Sequence, residues 1–278
     1  MQPVVRPLFL LHSDPALRHA LGRIPGQPYT LSLVSNWEAL RDGVRRAPPT
    51  ALVVADPRGE IKEGGLSCAL AELLRTYPSA TVLAALPIAP EDAGLVLRLR
   101  EWGVADVIDL ARERSPEALE RRLRVVQGRA VRRLLQRALP PNLPGRTRTL
   151  LAAAAEVVSR GGQSPDFAAS LHVTERTVAR WCERADLPSP RRLLAWMRIL
   201  LATDLLDDTG RSLESTARAC GYSGAGSLKP ALRNFLNKSP RELRETGAFA
   251  TAVQVFREEL GQICEAGRSV KPARTWLN

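Results

Sequence analysis

The chain has 278 residues, 45% of them hydrophobic, and 40 basic against 29 acidic side chains give a formal charge of +11. That length accommodates two ordinary domains, and no apolar run approaches the ~18 residues of a membrane span. The amino-terminus lacks a signal-peptide layout. The cysteines (Cys68, Cys182, Cys220, Cys264) and histidines (His12, His19, His172) neither cluster nor show Cys-x-x-Cys spacing, which argues against a disulfide framework, a metal site or a bound cofactor.

The basic excess is nearly all arginine and is spread along the chain. Before Ala138 there are 20 basic and 15 acidic residues, leaving 20 and 14 from there on. By itself this implies only a polyanionic partner. From Arg121 to Thr149, however, nine arginines occur without an acid. Such a segment is either a solvated helix face or a source of sequence-independent affinity for phosphate.

Residues 3–125 alternate strand-like and helix-like segments. Strands are predicted at Val4–Leu11, Tyr29–Val34, Thr50–Ala55, Thr81–Leu86 and Ala105–Leu110. Helices are predicted from Pro15, over Trp37–Val44, Leu66–Leu74 and Asp92–Trp102, and from Pro116 to about Gln136. Five such repeats with short connections predict an α/β domain whose parallel sheet is covered on both faces. The apolar stripe Leu123, Val126, Val131, Leu134 and Leu135 on the last helix suits either its own sheet or a second subunit. Leu139–Gly145 carries three prolines and a glycine, which no helix continues through.

From Leu150 onward the pattern is all helical. Asp166–Val173 followed by Thr174–Cys182 places an apolar face (Phe167, Ala168, Leu171, Val178, Trp181, Cys182) around a turn, with Thr174 as N-cap. Ser212–Ser223 repeats the arrangement, with Ala217 at the crossing point and Gly221 in the turn. Pro190–Leu206 between them reads as one long helix. A last helix is expected from Ala248 to Ala266, through Phe249, Val253, Phe256, Leu260 and Cys264, as a packing or dimerisation addition. The tail from Val270 looks loose.

The second half resembles the DNA-binding domain of the AraC/XylS transcription regulators. The likeness rests on Phe167-Ala168 through Thr174, Pro190 with Leu193, Arg198, Ala202 and Leu205-Leu206, Ser212-Leu213 with Ala217 and Gly221-Tyr222, and the closing Ser239–Arg244. The first half resembles, in layout, a response-regulator receiver domain. Its local signals are Asp14-Pro15, Asp56 ending the third strand, and Gly103–Asp106. The boundaries that follow are 1–125 for a pseudo-receiver, 126–146 for a helical extension and linker, 147–246 for the AraC-type domain, and 247–278 for the final helix and tail. Together they imply a cytoplasmic, nucleoid-associated bacterial protein.

The receiver resemblance implies a phosphoacceptor at Asp56, but the accompanying chemistry is missing. The Mg²⁺-holding acidic pair falls on His12 and Ser13, with only Asp14 beside them. The hydroxyl position falls on Ala84 or Ala85, and the lysine position on Leu110. Phosphoryl transfer depends on positioned charge, so Asp56 is expected to be a vestigial position that caps the loop before Gly59. A small molecule, a protein partner or a second copy of the chain then becomes the candidate input.

For DNA, the resemblance places the second helix of each unit in the major groove. Arg176, Thr177 and Arg180 are the expected base-contacting residues, with Arg184 reaching a phosphate. In the second unit the contact positions fall on Gly224, Ala225, Gly226 and Pro230, which offer almost no side chain. There a shortened helix capped by Ser227 is expected to grip phosphate through Ser227, Lys229 and Arg233, with Asn234 also outward. Pro190–Leu206 would space the two units about one helical turn of double-stranded DNA apart. A different reading is a protein-interaction adaptor in which both ancestral activities have decayed. No catalytic dyad, phosphate-binding loop or metal-ligand cluster points to an enzyme.

Overall fold

The structure is a computed structural model that describes residues 6–25, 29–59 and 65–270, with side chains to residue 261. The chain divides into two compact units, Met1–Ala130 with Asp208–Ala225, and Val131–Asp207 with Gly226–Asn278.

The first unit alternates β1 (Arg6–Leu11), α1 (Pro15–Gly22), β2 (Tyr29–Leu33), α2 (Trp37–Arg46), β3 (Leu52–Ala55), α3 (Cys68–Thr76) and β4 (Thr81–Leu86). A 3₁₀ turn at Pro90–Asp92 leads to α4 (Ala93–Glu101), β5 (Asp106–Asp109) and α5 (Pro116–Gln127). The strands form one parallel sheet in the order β2-β1-β3-β4-β5, the receiver-like layout expected from sequence. Side chains alternate across a strand, so Val54 joins Leu8, Leu17, Ile108 and Leu123 in one core while Val53 joins Leu40, Leu73, Val82 and Leu99 in the other. Helix starts follow local chemistry. Asp14 accepts from the Ala16 amide and Asn36 from the Ala39 amide, each at 2.8 Å, and Ser115 caps α5 with Pro116 in its first turn.

The long helix expected from Pro116 to about Gln136 is broken. It ends at Gly128, and α6 (Arg129–Ala138) follows. The buried positions show why. Leu119, Leu123 and Val126 keep helical spacing, but the next buried residue, Val131, lies five positions on. A continuous helix would turn it off the stripe.

The remaining helices are α7 (Gly145–Ser159), α8 (Ser164–Ser170), α9 (Glu175–Arg184), α10 (Pro190–Leu206), α11 (Leu213–Ala219), α12 (Ala225–Leu236), α13 (Pro240–Thr246) and α14 (Ala248–Val270). α7 starts at Gly145, five residues earlier than the pattern suggests, directly after the helix-excluding Pro144. α10 is buried around most of its circumference, as a helix at the centre of a bundle must be. The Trp196 ring lies 4.8 Å from Phe235 and 5.3 Å from Phe256. Asp207 accepts from the Ala248 and Phe249 amides at 2.8 and 3.1 Å, placing an anion at the positive end of α14. Arg192 adds a bidentate pair to Glu259 at 2.6 Å. The final helix is therefore packed within its own unit. The Cys264 side chain and the tail beyond Val270 lie outside the described residues.

Candidate nucleic-acid interface

The first helix-turn-helix is built from short-range bonds. Asp166 caps the start of α8 through the Gln163 amide at 2.8 Å. His172 adopts a left-handed φ of 55°, which lets the Val173 amide reach back to the Ala168 carbonyl at 3.1 Å and close the turn. Thr174 caps α9 by accepting from the Thr177 amide at 3.3 Å. Val178 and Cys182 fix the buried face, and burial pushes the Cys182 thiol up to about 11.

That leaves Arg176, Arg180 and Arg184 exposed, four residues apart along one stripe of α9. Among the described residues none of the three has a carboxylate within ion-pair distance. Thr177 is only partly exposed, and its hydroxyl lies 3.0 Å from the Thr174 hydroxyl. The cap thus engages one of the three expected base-reading residues.

The second unit repeats the turn. Gly221 takes a φ of 78°, and the Tyr222 amide donates to the Ala217 carbonyl at 2.9 Å. The helix that follows departs from expectation. It begins at Ala225, two residues before Ser227, so Ser227 is not its cap and Pro230 lies inside it. The cap is the Glu214 carboxylate on α11, which accepts from the Ala225 amide at 2.8 Å and from Arg218. A Cβ on Gly224 would stand 3.1 Å from both carboxylate oxygens, so the glycine makes room for the cap. Leu228, Leu232 and Leu236 face inward, while Lys229, Arg233 and Asn234 are exposed and Ser227 is partly so.

The arginine-rich stretch is largely committed to structure. Arg122 pairs with Glu113 at 2.7 Å and Asp106 at 3.4 Å, and Arg124 pairs with Glu120. Arg137 and Arg133 lie 2.6 and 3.8 Å from Asp204 of α10, and Arg148 donates to the Pro141 carbonyl at 2.9 Å. Desolvation still leaves the Asp204 pKa above the ordinary carboxylate range despite both arginines.

At the carboxyl end of the sheet, Asp56 accepts from the Arg58 amide at 2.9 Å, as a loop cap does. Arg58 itself pairs with Asp92 at 2.7 Å. His12 is engaged at both ring nitrogens. Nε2 lies 3.1 Å from the Ala85 carbonyl and Nδ1 3.0 Å from the Asp14 amide, so both ring nitrogens are engaged within the domain. Leu110 is buried.

Residues 167–246 match the model of a helix-turn-helix domain. Those residues are an AraC-type helix-turn-helix domain. No curated protein matches the chain. Among solved structures, a DNA-binding transcriptional dual regulator from Escherichia coli K-12 is 19% identical over 40% of this chain and 98% of its own, with a TM-score of 0.35. Full-length FixJ from B. japonicum is 17% identical over 68% and 94%, at 0.32. The response regulator RcsB from Salmonella typhimurium is 15% identical over 69% and 98%, at 0.33. Among the described residues no helix is long and apolar enough to cross a membrane.

One stretch of the AraC-type domain, Asp208–Ala225, belongs to the same compact unit as the sheet. Asp208 and Arg211 form an ion pair at 3.0 Å with side chains 0% and 2% exposed. Asp208 also accepts from the Ser79 amide at 3.0 Å and from its hydroxyl. Arg211 donates to the Arg45 and Ala47 carbonyls at 3.0 Å each. Burial raises the Asp208 pKa, against the hydrogen bonds and charge that lower it. Gly210 is required beside them, because a Cβ there would fall 2.5 Å from the Tyr77 ring and hydroxyl. Nothing in the sequence marked this cluster, since its contacts to the sheet unit span 129 to 166 positions.

Proposed function

We propose that the protein is a sequence-specific DNA-binding transcription regulator in which α9 reads bases and α12 holds phosphates. The observation that carries this reading is the exposed stripe of Arg176, Arg180 and Arg184 on a capped helix whose opposite face is buried. Arginine pairs bidentately with guanine in the major groove, and a stripe without carboxylate partners keeps that capacity. On α12 the first-turn positions are Ala225 and Gly226, so recognition there falls to Lys229 and Arg233, which meet phosphate. Arg184, last on the α9 stripe, also meets the backbone.

The α/β domain takes its input from a ligand, a partner or a second copy of the chain, not from phosphorylation. The engaged His12, the capped Asp56 and the buried Leu110 support this. Selecting bound sequences from a random duplex library, with the selected site retested at two salt concentrations, tests the DNA reading. A recovered motif contacted through α9 is the expected result; salt-sensitive binding without any motif would overturn it. Incubation with acetyl phosphate and Mg²⁺ should leave the mass of the protein unchanged.

A further inference from the structure

The start of α7 and the far end of α9 enclose a groove of about 790 Å³ within the second unit, a size typical of small-molecule sites. Its walls are mainly apolar and include Leu150, Leu171 and Trp181, the last 36% exposed. Arg146 and Arg184 flank it, and neither has a carboxylate within ion-pair distance among the described residues. No side chain caps the start of α7, so the positive end of that helix faces the same space. Asp186 also lines the groove but stands outside ion-pair distance of both arginines, so a flat indole surface lies beside two guanidiniums against one carboxylate, which fits one chemical class.

We propose that this groove binds an organic anion with a flat apolar body, an aromatic carboxylate, stacked on Trp181 with its carboxylate held by Arg146 and Arg184. A bare phosphate would leave the apolar walls uncovered, and a neutral aromatic would leave the guanidiniums unanswered. Because Arg184 also belongs to the DNA-facing stripe, such a ligand draws away a cation that otherwise meets the backbone. The groove would then couple a small molecule to DNA affinity from inside the reading domain.

The test uses the full chain, with 2-naphthoate as probe and its neutral counterpart, 2-naphthalenemethanol, followed by the indole N–H signal that Trp181→Leu removes. Saturable naphthoate binding that moves this signal is expected. Arg146→Gln and Arg184→Gln, made separately so that one folded variant suffices, should each weaken it about tenfold. The neutral alcohol should bind more weakly and ignore both substitutions. An unmoved indole signal, equal affinity for the alcohol, or displacement by inorganic phosphate as effectively as by naphthoate would each overturn the proposal. No DNA enters the measurement, so its failure and the failure of the DNA reading remain distinguishable.

Discussion

The two helix-turn-helix units share a backbone and differ in how their second helix is capped. In both, a left-handed residue (His172 or Gly221) closes the turn by a bond five residues back. In the first unit the cap is local. Thr174 serves α9, and the first turn remains free to carry Glu175, Arg176 and Thr177. In the second the cap comes from Glu214, eleven residues away. The chain around Gly224 must stay bare for that carboxylate to approach. The missing side chain at Gly224 is therefore a packing requirement, whereas a Cβ on Gly226 would meet nothing within 4 Å.

The largest expected effect sharpens where the second unit is anchored. Arg211→Ala would leave Asp208 buried and without its cation, which costs about 3–5 kcal/mol. Denaturant unfolding of the full chain should show that loss, with protection from amide exchange falling in α11. A loss under about 1 kcal/mol would mean that the pair does not hold α11 to the α/β unit. Next in size is the contrast between readers. Arg176→Ala should cost about 1–3 kcal/mol on a selected site and relax specificity there, whereas Lys229→Ala should weaken every sequence alike and reduce the salt slope by about one. Equal losses on all duplexes for both variants would erase the division between α9 and α12.

What the sequence disclosed follows the range of the interactions. The strand–helix alternation, the turn at Gly221 and the caps Thr174 and Ser212 depend on neighbours within a few residues, and all were legible. The start of α12 is hidden in the sequence because Glu214 looks like any acid in the first turn of its own helix. Arg121–Thr149 looked like a charge patch because the acids that neutralise its members, Asp106, Glu113 and Asp204, lie outside the window or on another helix. Of the candidate site, the α9 stripe is visible as spacing, but the engagement of the Thr177 hydroxyl by its own cap depends on a side-chain rotamer that spacing does not fix.

A smaller effect tests the cap itself. Gly224→Ala forces a methyl to within 3.1 Å of both Glu214 oxygens, and displacing the carboxylate should leave the Ala225 amide without this acceptor. Amide exchange should accelerate in the first turn of α12 and leave α9 untouched. Exchange rising equally in both helices would mean the substitution loosens the domain generally.

The finest test is the titration of Glu214. Its pKa is held below the ordinary glutamate value, first by the Ala225 amide and then by Arg218. A depressed acid contributes stability that is present above its unfolded pKa and is lost only as pH falls through the lower, folded value. The Ala225 amide resonance should therefore stay constant through the ordinary glutamate range and move only at more acidic pH. In Glu214→Gln the amide oxygen can still accept, so that acid transition should vanish while α12 persists near neutrality. Glu242 caps α13 with a pKa lowered in the same direction, so global unfolding would mix the two caps and the Ala225 signal has to be followed directly. A midpoint at or above the ordinary value would show that Glu214 gains nothing from the contact in its charged form. The glycine at position 224 would then need another cause.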